Sequence, residues 1–103
     1  MNDVFFDLET QNLFDDVGGR QNIAKLKVAC AVTWSTARND FAVYWERDVP
    51  ALIDELKSAT RVIGFNLRGF DYQVLQPYAP DIRFASIPTL DLMLDLKRYL
   101  AFG

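Results

Sequence analysis

Val4-Phe5-Phe6-Asp7-Leu8-Glu9-Thr10 sets an Asp and a Glu two positions apart inside an apolar, aromatic run. Read as a β-strand, the run alternates faces: Asp7 and Glu9 point one way, Val4, Phe6 and Leu8 the other. Neighbouring carboxylates on a largely buried strand repel each other and lose hydration, so they must protonate, reach solvent or bind cations. Hard divalent ions such as Mg²⁺ or Mn²⁺ are the natural partners of clustered carboxylate oxygens. A solvent-facing strand end bearing two ordinary surface acids is the competing explanation of the same pair.

Outward from this strand, 103 residues suit one compact domain with one core. Half of the residues are hydrophobic and 14% aromatic, which argues against disorder. A net charge of -3 is not that of a generally basic nucleic-acid binder, so contact with a phosphate backbone must be local or assisted by metal. Cys30 is the single cysteine, which rules out an internal disulfide and suits a small thiol in an apolar run. The N-terminus has no basic start followed by an apolar stretch, and no run approaches the roughly 18 apolar residues of a membrane span, so a cytoplasmic location is expected. Histidine is absent. That removes Ser-His-Asp and Cys-His catalysis, His-ligated zinc and a His general base from what this chain can build alone. Carboxylate and metal chemistry remain.

The periodicities predict strand one over 3–8, a polar loop over 11–21 containing Asp15, Asp16 and Gly18-Gly19, strand two over 25–35 and strand three over 40–45, the last two forming a hairpin. Asp48 and Pro50 open a helix whose Val49, Leu52, Ile53 and Leu56 recur on one face. A strand over 61–65 ends at Asn66, and a helix over 69–76 is stopped by Pro77. A short strand is expected near 83–86, then a last helix from Thr89 or Leu90 to Ala101, with Leu90, Met93, Leu94 and Leu100 in the core. This order predicts an α/β domain with a mixed sheet, an antiparallel hairpin followed by parallel strands and covering helices. Asp7 and Glu9 would end the first strand, and Asn66 and Asp71 would follow the fourth. Three carboxylates could then meet at one rim of the sheet.

Phe6-Asp7-Leu8-Glu9-Thr10 resembles the first motif of the DEDD 3′–5′ exonucleases of the ribonuclease H-like superfamily. Gly64-Phe65-Asn66-Leu67-Arg68-Gly69-Phe70-Asp71 resembles their second. Asp15-Asp16-Val17-Gly18-Gly19, then Tyr72 and Leu75, and Thr89-Leu90-Asp91-Leu92 resemble the YprB-like branch of predicted exonucleases. The resemblance implies a ribonuclease H-like fold and two-metal hydrolysis of phosphodiester bonds, using ions about 3.5–4 Å apart. Asp7 would bridge the two ions, Glu9 would bind the one carrying the water, and Asp71 would anchor the other. The implied cofactor is Mg²⁺ or Mn²⁺, and the implied partner a single-stranded 3′ end of DNA or RNA. The family's third motif, which carries a fourth Asp, is not found before Gly103. The expectation is therefore a single domain over 1–103 shortened at its C-terminus, with an incomplete site and a sheet face left open to oligomerisation.

Around these acids the assignments divide. Thr10 reads as a strand end or as a contact for a terminal nucleotide, Asn66 as a turn cap or a substrate contact, and Arg68 as a solvated surface residue or a phosphate ligand. Asp71 also suits the first turn of a helix through the helix dipole. Phe65, Phe70 and Tyr72 read as core rather than as a stacking platform. Asp91 reads as a helix start and Asp95 as part of a solvated face, and neither is assigned to catalysis. The alternative to a nuclease is a non-catalytic ribonuclease H-like module that binds nucleic acid or a protein.

Overall fold

The computed structural model describes residues 1–100. β1 (Asp3–Thr10) lies at the centre of a five-stranded sheet with β2 (Val28–Ser35), β3 (Asp40–Trp45), β4 (Arg61–Gly64) and β5 (Thr89–Asp91). The order across the sheet is β3-β2-β1-β4-β5. β1 pairs antiparallel with β2 and β2 with β3, whereas β1–β4 and β4–β5 are parallel. Parallel neighbours need a crossover, and α1 (Val49–Ser58) supplies the one that leads into β4. The architecture is α/β and compatible with a ribonuclease H-like fold, as the order of elements predicts.

Register explains the two faces. Val4, Phe6 and Leu8 of β1 stand opposite Ser35, Thr33 and Ala31 of β2, and all six are buried. Val4, Phe6, Leu8 and Ala31 form the core with Leu52 and Leu56 of α1, Val62 of β4, and Val74 and Leu75 of α2 (Tyr72–Leu75). The other face carries cross-strand rows: Phe5 with Trp34 and Phe41, Asp7 with Val32 and Val43, and Glu9 with Cys30 and Trp45. Phe41, Val43 and Trp45 are more than half exposed there, and Cys30 is partly exposed rather than enclosed. Period-two alternation therefore delivers both acids of β1 to the outward face, as the sequence indicates.

One polar network fastens α1 to the hairpin. Glu55 accepts hydrogen bonds from Thr33 Oγ1 at 2.5 Å, Arg38 Nη1 at 2.6 Å and Tyr44 Oη at 2.8 Å. Burial by itself would raise the Glu55 carboxyl, but these three donors together outweigh it and hold the group below the usual range.

Several boundaries differ from the sequence-based expectation. β1 runs on to Thr10 through an irregularity after Glu9. β2 starts at Val28, not Lys25, because Arg20–Lys25 forms 3₁₀ turns and Lys27 takes a positive φ of 62°. Within the expected loop, Phe14–Val17 is a 3₁₀ turn closed by Gly18, whose φ of 91° suits a residue without a side chain. The strand expected near 83–86 is a 3₁₀ turn over Phe84–Ser86, with Phe84 buried and stacked on Tyr72 at 5.4 Å. The fifth strand comes instead at Thr89–Asp91, where Pro88 presents its carbonyl to the Val62 N–H at 2.8 Å and β4 supplies the pairing. The last helix, α3 (Leu92–Leu100), consequently begins later than expected. Its Leu94 and Leu100 are exposed, not core, because α3 buries no residue against the sheet. The expected helix end at Ala101 lies outside the described residues. No helix among the described residues is long and apolar enough to cross a membrane.

Candidate active site

The chain after β4 is shaped by a shortage of space. Gly64 ends the strand so close to its surroundings that an added Cβ would lie 2.7 Å from both the Phe6 carbonyl oxygen and Leu67 Cδ2. Asn66 then reverses the chain with a left-handed φ of 56°, and Leu67–Asp71 winds as a π-helical turn leading into α2. Single π turns recur at functional sites because they re-aim side chains. Here the turn seals Leu67 into the core and carries Asp71 to the end of β1.

Asp71 is 4% exposed, and its carboxyl is pushed up to about 7. Burial is the largest cause, followed by the negative charge of Asp7. The N–H groups of Asp71 itself and of Leu8 oppose the shift, and Asp91 adds to it. Acids from β1 and from the π turn thus share one electrostatic environment. The two ion pairs among the described residues, Arg38–Glu55 and Arg61–Asp3, involve neither of these acids. Glu9 lies two residues beyond Asp7 on the same outward face and is exposed. Among the described residues no group of three or more His, Cys, Asp or Glu is already gathered in metal-holding geometry.

Asp7 and Asp71 nevertheless have the character that a hard divalent cation requires. Their donors are all carboxylate oxygens, and they repel each other without a cationic side chain between them. A cation there would offset both the burial and the Asp7 repulsion that raise Asp71.

The other candidate residues have distinct settings. Thr10 turns its hydroxyl to the Asn12 carbonyl at 2.8 Å, as a strand-end residue does. Asn66 makes no side-chain cap, and its side chain lies against Gly69 so closely that a Cβ there would collide. Arg68 is half-buried and reaches the Ile87 carbonyl at 3.5 Å. Phe65, expected in the core, is 59% exposed, while Phe70 packs edge-on against Phe14 and Tyr72 is buried.

Asp91 is the residue that sequence reasoning undervalued. It is buried at the end of β5, where Oδ1 accepts the Asn66 N–H at 2.8 Å and the Met93 N–H at 3.2 Å while Oδ2 accepts the Arg68 N–H at 3.1 Å. It opens α3, as expected of a helix start, but it also clamps the turn that delivers Asp71. The available signal was an Asp two residues after a β-branched Thr89 that follows Pro88, whereas its partners lie 25 and 23 residues earlier.

No protein-family model matches the chain, and no curated protein does. Among solved structures, a family B DNA polymerase from the hyperthermophilic archaeon Pyrobaculum calidifontis aligns over 77% of this chain with a TM-score of 0.58 and 18% identity. The chain covers 11% of that polymerase's length. At this identity the likeness establishes a shared fold, a mixed α/β sheet with covering helices.

Proposed function

We propose that this domain is a metal-dependent nuclease of the 3′–5′ exonuclease type, with Asp7, Glu9 and Asp71 as the carboxylates that hold Mg²⁺ or Mn²⁺. The observation that carries this reading is the buried carboxyl of Asp71, which feels the charge of Asp7 on β1 while neither acid forms an ion pair among the described residues. Both belong to the motifs that resemble the DEDD exonucleases, and the likeness to part of a DNA polymerase chain supports the same reading.

When bound, divalent ions would activate a water and neutralise charge on the attacking and leaving oxygens of the phosphodiester. The chain's own residues prepare for this. Asp71 must give up its proton to act as a ligand, so metal ions compete with protons for it and metal binding should weaken as pH falls below about 7. Asp7 on the rigid central strand fixes one side of the site, and the π turn fixes the other. Exposed Glu9 is free to close over an incoming ion.

The test is release of nucleotides from 5′-labelled single-stranded DNA and RNA in Mg²⁺ or Mn²⁺, comparing the wild type with Asp7→Asn and Asp71→Asn. Loss of release in both variants supports the proposal; equal release by all three proteins rejects it. A second reading, a non-catalytic ribonuclease H-like binding module, is favoured by the lack of a gathered three-carboxylate group among the described residues. It predicts no metal-dependent release from the wild type.

A further inference from the structure

A groove of about 850 Å³ runs beside α2, between the 3₁₀ turns that precede β2 and the segment around residues 80–85. Its size is in the range of sites that enclose a ligand of a few hundred daltons. Ile23, Pro77, Pro80 and Ile82 give it apolar walls, and its charged lining residues are Arg68 and Arg83. No acid lines it, although the chain carries 14 acids against 11 basic residues. Neither arginine belongs to an ion pair among the described residues. Arg68 spends one donor on the Ile87 carbonyl, and Arg83 is exposed.

Apolar walls with two guanidinium groups that belong to no ion pair among the described residues match a ligand that alternates phosphates with flat or aliphatic surfaces. A single nucleic-acid strand is such a ligand, since its phosphates suit arginine and its unpaired bases and sugars suit Pro and Ile. A duplex hides its base faces and fits the apolar wall less well. The groove and the candidate site share the π turn: Arg68 of that turn lines the groove, and the same turn carries Asp71.

We propose that this groove holds the phosphate backbone of a single strand through Arg68 and Arg83 and leads it to the Asp7–Asp71 carboxylates. The assignment deepens the nuclease reading and rests on it for the direction of travel, while binding in the groove can be measured apart from cleavage. The strand is held by charge on one side and by apolar contact on the other. Its affinity should therefore depend on salt and on both arginines.

The experiment is fluorescence anisotropy with a 5′-fluorescein thymidine dodecamer in EDTA, so that no cleavage occurs. It compares the wild type, Arg83→Ala, the Arg68→Ala/Arg83→Ala double variant, and Arg47→Ala as an exposed arginine outside the groove. Thermal melts confirm that each variant is folded. Arg83→Ala should weaken binding roughly tenfold, and the plot of log affinity against log salt should flatten by about 0.7, or about 1.4 for the double variant. Arg47→Ala should leave both unchanged. Groove variants that match Arg47→Ala in affinity and slope would overturn the proposal. So would displacement of the oligonucleotide by inorganic phosphate as readily as by thymidine monophosphate, which would leave a simple anion site. Arginine-dependent binding by a wild type that releases no nucleotide in Mn²⁺ would sustain the groove and reject the nuclease reading.

Discussion

Asp91 Oδ1 accepts the backbone N–H of Asn66 at 2.8 Å and so ties the end of β5 to the left-handed residue that starts the π turn. The same carboxylate takes the Arg68 N–H, so two donors that the turn leaves without backbone partners are satisfied by one buried acid. The position of Asp71 therefore depends on a residue 20 positions further along the chain.

Replacing Asp91 with Ala should strand those N–H groups and lower stability by about 2–3 kcal/mol. Asp91→Asn keeps one acceptor oxygen and should lose less. Urea denaturation of both variants checks the order. If Asp91→Ala is as stable as the wild type, the turn is held by other contacts.

Asp71 makes stability depend on pH. In metal-free buffer the folded protein keeps the Asp71 proton up to about pH 7, whereas the unfolded chain loses it near the ordinary value of 3.8. Between those limits the native state binds more protons, so this group's contribution falls as pH rises and is least favourable above about 7. The penalty is at most on the order of 4 kcal/mol. Glu55 acts in the opposite sense: its stabilisation is present above 4.5 and is lost as pH drops below that value. Melting Asp71→Asn alongside the wild type isolates the first effect. The variant should melt higher at pH 8 in EDTA, and a lower melting temperature there would contradict a buried, repelled carboxylate.

Gly64 offers a steric test of the same region. Alanine at this position would press its Cβ on the Phe6 carbonyl and on Leu67, and the backbone atom cannot swing aside. A loss of about 1–3 kcal/mol is expected from overpacking. The Asp71 carboxyl should also titrate at a changed pH, since β4 and the π turn would move away from β1. Carboxyl titration by NMR reads this directly, and an unchanged Asp71 would show that the contact is soft.

Much of this was legible from short-range pattern. Alternation in β1 fixed which residues face the helices and sent Asp7 and Glu9 outward, while Val49, Leu52, Ile53 and Leu56 announced α1 by their spacing and are all buried. What escaped was set by long-range pairing. β5 spans three residues and exists through its partner β4, so no local pattern distinguishes Thr89–Asp91 from a helix start. The apolar residues of α3 look like core from composition, yet Leu92, Leu96, Tyr99 and Leu100 remain exposed on one side of the helix. Asp7 and Asp71 could be paired from their motifs, but the burial that raises Asp71 arises only in the folded chain. The clamp by Asp91 joins residues too distant in sequence for any spacing to predict.

Equilibrium binding of Mn²⁺ at pH 8 and constant ionic strength, followed by loss of the free-ion EPR signal, tests the carboxylate site most directly. The wild type should take up Mn²⁺ saturably, and Asp7→Asn and Asp71→Asn should each weaken that uptake at least tenfold, as expected when a charged ligand is removed from a small carboxylate site. Three indistinguishable titration curves would mean that Asp7 and Asp71 do not form a cation site.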